Sequence, residues 1–241
     1  MKIRMHTLAV LIKKDFKLLL TNKNVIIMMM LPIGFGVLYQ FLFEGMLDDA
    51  KDLVLNLCVL LALTAIAVSS TGMMVAEEKE KNTLRVLMLN DVSALEYIMS
   101  KVIVIGLMTE IVCVGIYVLT FCPMHALPVF LFVTCITTCS MLMFGAIVGI
   151  CSKDQMSTST LSTPLMLLFL FPPMFSEFNE VFSTISMVLP TAAMNNIVTE
   201  AIAGGAFLTM DTLMNIGIIA AWIIISIVLF SFMYKKKSLD N

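Results

Sequence analysis

The chain has little of what a soluble enzyme depends on. Only 13% of its 241 residues are charged, two are histidine and one is tryptophan. Ordinary soluble domains run near 25% charged and 45–50% apolar, whereas this chain is 60% apolar. A core of this length cannot hide so much apolar surface from water. Lipid is therefore the solvent for most of the chain.

Further absences narrow the chemistry. His6 and His125 have no partner at metal-ligand spacing, which leaves a metal centre or a histidine-based catalytic site without support. The six cysteines, Cys58, Cys113, Cys122, Cys135, Cys139 and Cys151, form no C-x-x-C pair and read as buried free thiols. Glu77-Glu78 starts like the E-E-x-x-x-R signature of intramembrane proteases. Residue 82 is asparagine, however, and no histidine lies within a span to support it. No G-x-x-x-x-G-K-[ST] phosphate loop occurs, and no lysine follows a glycine, so any ATP must be bound by another polypeptide. Lys13, Lys14, Lys17 and Lys23 interrupt any signal-peptide core near the start.

What is present is a series of apolar runs near the roughly 20 residues that cross a bilayer. They fall at 25–43, 53–76, 102–122, 128–150, 158–175 and 212–234. Six spans put both termini on one side, and the bases say which. Lys2, Arg4, Lys13, Lys14, Lys17 and Lys23 precede span one; Lys79, Lys81, Arg85 and Lys101 lie between spans two and three. Lys153 follows span four, and Lys235, Lys236 and Lys237 follow span six, leaving only Lys51 on the far side. Glu44, Asp48, Asp49, Asp52, Glu177 and Glu180 fall on that far side. The expectation is an all-α multi-pass protein of the cell membrane, one transmembrane domain over 1–241, with both termini cytoplasmic.

Two segments are neither span nor solvated loop. In 1–24, Met5, Leu8, Ile12, Phe16 and Leu19 recur at helical spacing opposite Lys13, Lys14 and Lys17, which predicts an amphipathic helix lying in the interface. Residues 176–211 are external by this topology yet apolar, interrupted by Pro190 and Gly204-Gly205. They read as two short re-entrant helices, tolerable in a membrane only when packed on protein or lining a cavity. Within span three, Glu110 shares a helical face with Gly106, Cys113 and Tyr117. An acid there marks a translocation path or an ion-coupling carboxylate, or else a side chain hydrogen-bonded to a neighbouring helix. The small polar residues Ser69-Ser70-Thr71-Gly72, Thr134, Thr137, Thr138 and 157–160 suit close helix packing. The 22 methionines suit lipid-facing positions.

The stretch 77–101 is the exception to the scarcity of charge, with five acids and four bases in 25 residues. It reads as span two emerging and continuing as helix to Leu89, a break at Asn90-Asp91, and a new helix capped by Ser93 with Glu96 three residues on. A loop that only fixed topology would need a few lysines. Mixed charge together with Leu84, Val86, Leu87 and Leu89 predicts an elbow with an exposed surface that docks another protein.

This run resembles the signature of ABC-2-type transporter permeases, the transmembrane subunits of bacterial ABC exporters of type V character, approximately E-x-E-[RK]-G-T-[LM]-E-x-L-x-x-x-P-[VI]-S-x-x-E-x-x-x-G-K. Glu78, Glu80, Lys81, Thr83, Leu84, Leu87, Ser93, Glu96 and Lys101 match without a gap. Asn82, Arg85, Asp91 and Ser100 depart from it, but asparagine tolerates left-handed backbone and aspartate favours turns. A second segment, 187–198, is similar to the family pattern before the last span, with Pro190 at its proline.

The resemblance implies a half-transporter without enzymatic activity of its own. A second permease copy, identical or a sister chain, would complete the pathway. Two copies of a separate cytoplasmic ATPase would bind ATP and magnesium and dock on 77–101, with Glu77 and Arg85 included. The implied activity is export across a prokaryotic plasma membrane of a hydrophobic or amphipathic cargo, a peptide or drug-like molecule, with no nucleic-acid partner. The competing readings are a proton-coupled secondary transporter using Glu110, and a regulatory or immunity membrane protein.

Overall fold

The computed structural model describes residues 4–42, 47–90, 92–205 and 209–239, and among these it is helical with no strand. In chain order the helices are α1 (Met5–Thr21), α2 (Lys23–Leu42), α3 (Leu47–Ala62), α4 (Thr71–Glu80), α5 (Thr83–Leu89), α6 (Ala94–Leu119), α7 (Leu127–Cys151), α8 (Gln155–Phe175), α9 (Glu180–Ser186), α10 (Pro190–Ile202) and α11 (Met210–Leu239). A π-helical stretch, Leu63–Ser70, joins α3 to α4 and makes them one long span. Six of the resulting helices are long and apolar enough to cross a membrane, so the six expected spans are present and the chain is a membrane protein. The spans run beyond the apolar runs themselves, most of all span two, which extends to Glu80, and span three, which starts at Ala94.

The bundle has a centre and a periphery. Span two and α7 are buried over 78% and 67% of their most apolar stretches, against 17% for α2 and α11. The hub is α7, which packs on α4, the π stretch, α6, α10 and α11. Lipid tails are as apolar as leucine, so helices in a membrane associate through close packing rather than through exclusion of water. Glycines provide that closeness where span two meets α7. A Cβ on Gly145 would press on the Val68 and Ala67 carbonyls, and one on Gly149 would lie 2.6 Å from the Gly72 carbonyl and from Val75 Cβ. Within the π stretch Ser70 Oγ donates to the Ala65 carbonyl five residues back at 3.2 Å, a contact that the wider turn permits.

Differences from the sequence reading have local causes. The helix leaving span two does not run on to Leu89. It stops at Glu80, and Asn82 takes a left-handed backbone (φ 57) that an uninterrupted helix cannot contain. Asp91, half of the expected break, lies outside the described residues, as does Glu44. The new helix does begin where Ser93 and Glu96 cap it: Ser93 Oγ accepts from the Glu96 amide at 3.2 Å, and Glu96 Oε2 accepts from the Ser93 amide at 2.9 Å. The buried stripe of α1 is Leu8, Leu11, Asp15 and Leu19, while Met5 and Phe16 are exposed. That helix therefore docks on α6 through a face rotated from the expected one.

At the other end, α9 and α10 meet at 90°. Pro190 occupies the first turn of α10, where its missing amide costs nothing. Pro173 in α8 has no amide to pair with the Phe169 carbonyl, and Thr191 Oγ1 of α10 donates to that carbonyl instead at 2.8 Å. The Phe144, Phe169 and Trp222 rings, 5.4–5.7 Å apart, fill the space below. Close packing at Gly145 has a measurable consequence. Gly145→Val overpacks the span two–α7 contact at a cost of about 1–3 kcal/mol, lowering the thermal midpoint in detergent by roughly 2–12 °C. Gly34→Ala, whose added Cβ meets nothing within 4 Å, leaves the midpoint in place. Equal midpoints for the two variants would refute the packing argument.

Candidate functional site

The charged stretch 77–101 does not form a surface as a whole. Glu77, Glu78, Glu96 and Lys101 are buried, Glu78 being 3% and Lys101 1% exposed. A buried charge survives only when it is paired and hydrogen-bonded. Each of these four is, and the partners come from other helices.

Lys101, on α6, holds the middle of the cluster. Its ammonium lies 3.1 Å from Asp15 Oδ1 of α1 and 3.1 Å from the Glu78 carboxylate of α4, and 4.6 Å from the centre of the Tyr97 ring. Glu78 also pairs with Lys14 of α1 and accepts from the Tyr97 hydroxyl at 2.6 Å. Asp15 accepts from Ser100 Oγ at 2.5 Å, and Lys14 lies 3.2 Å from it. Asp15, Lys14, Glu78 and Lys101 thus carry two charges of each sign and sum to none. Burial works against the Lys14 ammonium, but Glu78 and Asp15 outweigh it and hold its pKa above the ordinary lysine value.

Around this centre, the other charges fasten further helices. Glu77 Oε2 accepts from Asn22 Nδ2 at 2.6 Å, at the α1–α2 junction, and from Gln155 Nε2 at 2.8 Å, at the start of α8. Its other oxygen pairs with Lys81 at 2.5 Å. Lys79 donates to the carbonyls of Ile150 and Ser152 at 3.2 and 2.7 Å, capping the C-terminal end of α7. Glu80 accepts from the Gln155 amide at 3.2 Å. The Arg4 amide donates to Glu96 Oε1 at 2.8 Å, which ties the start of α1 to the start of α6. Thr83 Oγ1 donates to the Glu78 carbonyl at 2.9 Å across the Asn82 turn.

The expected docking residues therefore separate into two sets. Glu77, Glu78, Glu96 and Lys101 are internal, a correction to their reading as surface, and Ser93 serves as the cap of α6. Leu84 and Leu87 are half-buried against Val75, Tyr97, Ile98 and Phe230, so they too leave the exposed patch. Glu80, Lys81, Thr83 and Arg85 are exposed, with Val86 at 55% and Leu89 at 76%. A cleft of about 270 Å³ opens beside them between α1 and α4, lined by Lys14, Lys17, Glu78 and Lys81 among others.

Asp15, Lys14 and Tyr97 escaped the sequence reading, though one signal was available. Asp15 is the only acid in the first 43 residues, four residues from Leu11 and four from Leu19 on one helical face. Glu110 and Tyr117 also have partners. Thr134 and Thr138 of α7 donate to the two Glu110 oxygens at 2.8 and 2.9 Å. The buried Tyr117 donates to the Pro123 carbonyl at 2.6 Å and packs against Phe130, the ring centres 4.6 Å apart and the planes tilted by 42°. Among the described residues no group of His, Cys, Asp and Glu could hold a metal ion.

Two substitutions probe the cluster. Lys101→Met leaves Asp15 and Glu78 short of a counter-charge in a buried place, at a cost of about 3–5 kcal/mol. Adding Asp15→Asn removes the surplus acid and recovers most of the loss, as read by thermal midpoint and monodispersity in detergent; a double variant no better than the single one would contradict the pairing. At the turn, Asn82→Gly keeps full stability, while Asn82→Val loses about 1–2 kcal/mol to left-handed strain.

The comparison with known proteins bears on the same elements. No curated protein matches the chain. The model of one family, described as ABC-2 family transporter protein, matches residues 47–232, from the start of α3 into α11 and well over half of the chain. A multi-span bundle with a charged seam between spans two and three is what that match covers, and the chain belongs to the ABC-2 family of transporter proteins.

Proposed function

We propose that this chain is the membrane-spanning subunit of an ATP-driven exporter, and that α5 is where a separate ATPase docks. The observation that carries this reading is an exposed helix mounted on a buried ion cluster. Arg85, Val86 and Leu89 face outward with Glu80, Lys81 and Thr83, an apolar and charged mixture at the end of a short rigid helix. Directly behind them Glu78 and Lys101 tie α4 and α6 to α1. A push on α5 then moves spans two and three and the interfacial helix together. ATP binding by the partner shifts the spans between two arrangements only if it contacts α5 differently in each.

In this reading the end of the bundle that carries α5 and both termini is cytoplasmic, as the basic residues indicate, and the setting is a prokaryotic plasma membrane. A second permease copy, identical or a sister chain, completes the pathway, and two ATPase copies bind the ATP and magnesium. The short segments at the opposite end leave the bundle itself to handle the cargo, a hydrophobic or amphipathic molecule. In a proton-coupled transporter Glu110 would instead carry the driving ion. Its two threonine partners support a role in joining α6 to α7.

Leu89→Asp and Val86→Asp test the docking surface without touching the fold, because both side chains are exposed. Each is expected to reduce ATP hydrolysis by the complex purified from native membranes at least tenfold while leaving the thermal midpoint of the chain unchanged. Unaltered hydrolysis in both variants, or hydrolysis that never accompanies the wild-type chain, would sink this reading.

A further inference from the structure

The ion cluster draws on one side of α1 only. Leu8, Leu11, Asp15 and Leu19 are buried, and Lys14 is turned inward by Glu78 and Asp15. Two other sectors of this 17-residue helix stay outside. Met5, Ala9, Phe16 and Leu20 are exposed, with Met5 at 74%, Phe16 at 43% and Leu20 at 54%. At about 100° per residue their spacing sets them on one line along the helix. Lys13 and Lys17, four residues apart, form a row beside that line. Both are exposed, and neither ammonium has an ion pair or hydrogen bond among the described residues.

A helix docked on one side and facing water on the others carries polar residues over the rest of its circumference. On α1 the rest is an apolar line next to a basic row. That is the arrangement of a helix lying in the membrane interface, with its apolar side among acyl chains and its bases at the headgroups. One residue, Asn22, separates α1 from the spanning helix α2, whose Ile26, Ile27 and Met30 are exposed. The last turn of α1, with Lys17 and Leu20, therefore stands where a span enters the membrane. Charge complementarity fixes the kind of lipid. Asp15 is the only acid in the first 43 residues, and it is internal. No carboxylate on the outer side of α1 answers Lys13, Lys17 or the exposed Lys23 that opens α2. The surface beside α5 differs, since the exposed Glu80 and Lys81 give it both signs.

We propose that the outer side of α1 binds anionic phospholipid in preference to zwitterionic phospholipid. Lys13 and Lys17 pair with the headgroups, and Met5, Phe16 and Leu20 rest among the first methylenes of the acyl chains. Through Asp15 and Lys14 the same helix is fastened to α4 and α6, so lipid of that charge anchors the ion cluster at the membrane surface. The inference goes beyond the export reading and does not depend on it.

The single tryptophan, Trp222, is on α11, so Phe16→Trp adds a second indole that reports lipid at α1 by its extra quenching over the wild-type chain. Both full-length proteins, in dodecyl maltoside, are titrated with phosphatidylglycerol or phosphatidylcholine carrying brominated acyl chains. Phosphatidylglycerol is expected to reach half of the extra quenching at a mole fraction roughly twentyfold lower, the preference that two lysines near a membrane surface confer. Adding Lys13→Gln and Lys17→Gln brings the two lipids to the same mole fraction. The thermal midpoint stays in place, because both side chains are exposed and outside the internal pairs. Equal quenching by the two lipids in the Phe16→Trp chain overturns the proposal and gives this face to a protein partner. A preference that survives both lysine substitutions, or no extra quenching by either lipid, overturns it as well. The chain is measured alone, so the result leaves docking at α5 untouched.

Discussion

A single lysine that cannot reach water sets the terms for this structure. Lys101 opens an apolar span and is buried, so its charge must be met inside the protein. The acids that meet it come from two separate helices, Asp15 on α1 and Glu78 on α4. Neither acid could be buried alone, and with Lys14 the four close into a neutral group. The position of α1 relative to spans two and three is therefore specified by charge as well as by the apolar contacts of Leu8, Leu11 and Leu19. Such clusters often add little net stability compared with an apolar replacement. What this one adds is a register, because sliding α1 by one turn would strand Asp15 and Lys101 together.

That register makes the end of the bundle at the ion cluster stiff. At the stiff end Glu77, Lys79, Glu80 and Glu96 carry the fastening outward to α8, α7 and the start of α1. Below it, span two passes into the π-helical stretch Leu63–Ser70, which lies against α7 where Gly145 and Gly149 admit its backbone. A π-helical turn is a costlier and less regular arrangement than the α-helix on either side. In the proposed coupling, motion delivered to the stiff end is carried as a unit by α1, α4 and α6.

The spans were legible because a bilayer imposes a length, and a run of apolar residues of that length has few other uses. The cap at Ser93 and Glu96 was legible because it is a local pattern, complete within four residues. The partners of the charges were not, since nothing in the spacing of 77–101 points to Asp15, more than sixty residues earlier. Charge in a greasy chain was read as a mark of water and a protein surface. In Glu77, Glu78, Glu96 and Lys101 it marks the opposite, a place where water is excluded and helices are joined. Asn82 shows a partial success: its tolerance of left-handed backbone was foreseen, but the break it makes in the helix was not, because the helical propensity of its neighbours gave no sign of it.

The two ends of the bundle treat charge in opposite ways, and the difference bears on what each can do. At the ion cluster every acid described has a cation or amide donor, so little field escapes, and what protrudes is the short helix α5. At the far end Glu177 and Glu180 face outward with no base anywhere in 154–234 to answer them. Exposed acids with no base in the same segments leave that end with a negative potential. A bundle that spent most of its lysines at one end to hold helices together keeps only Lys51 for the other. The uneven distribution of bases therefore leaves one end of the bundle fastened by internal ion pairs and the other negatively charged.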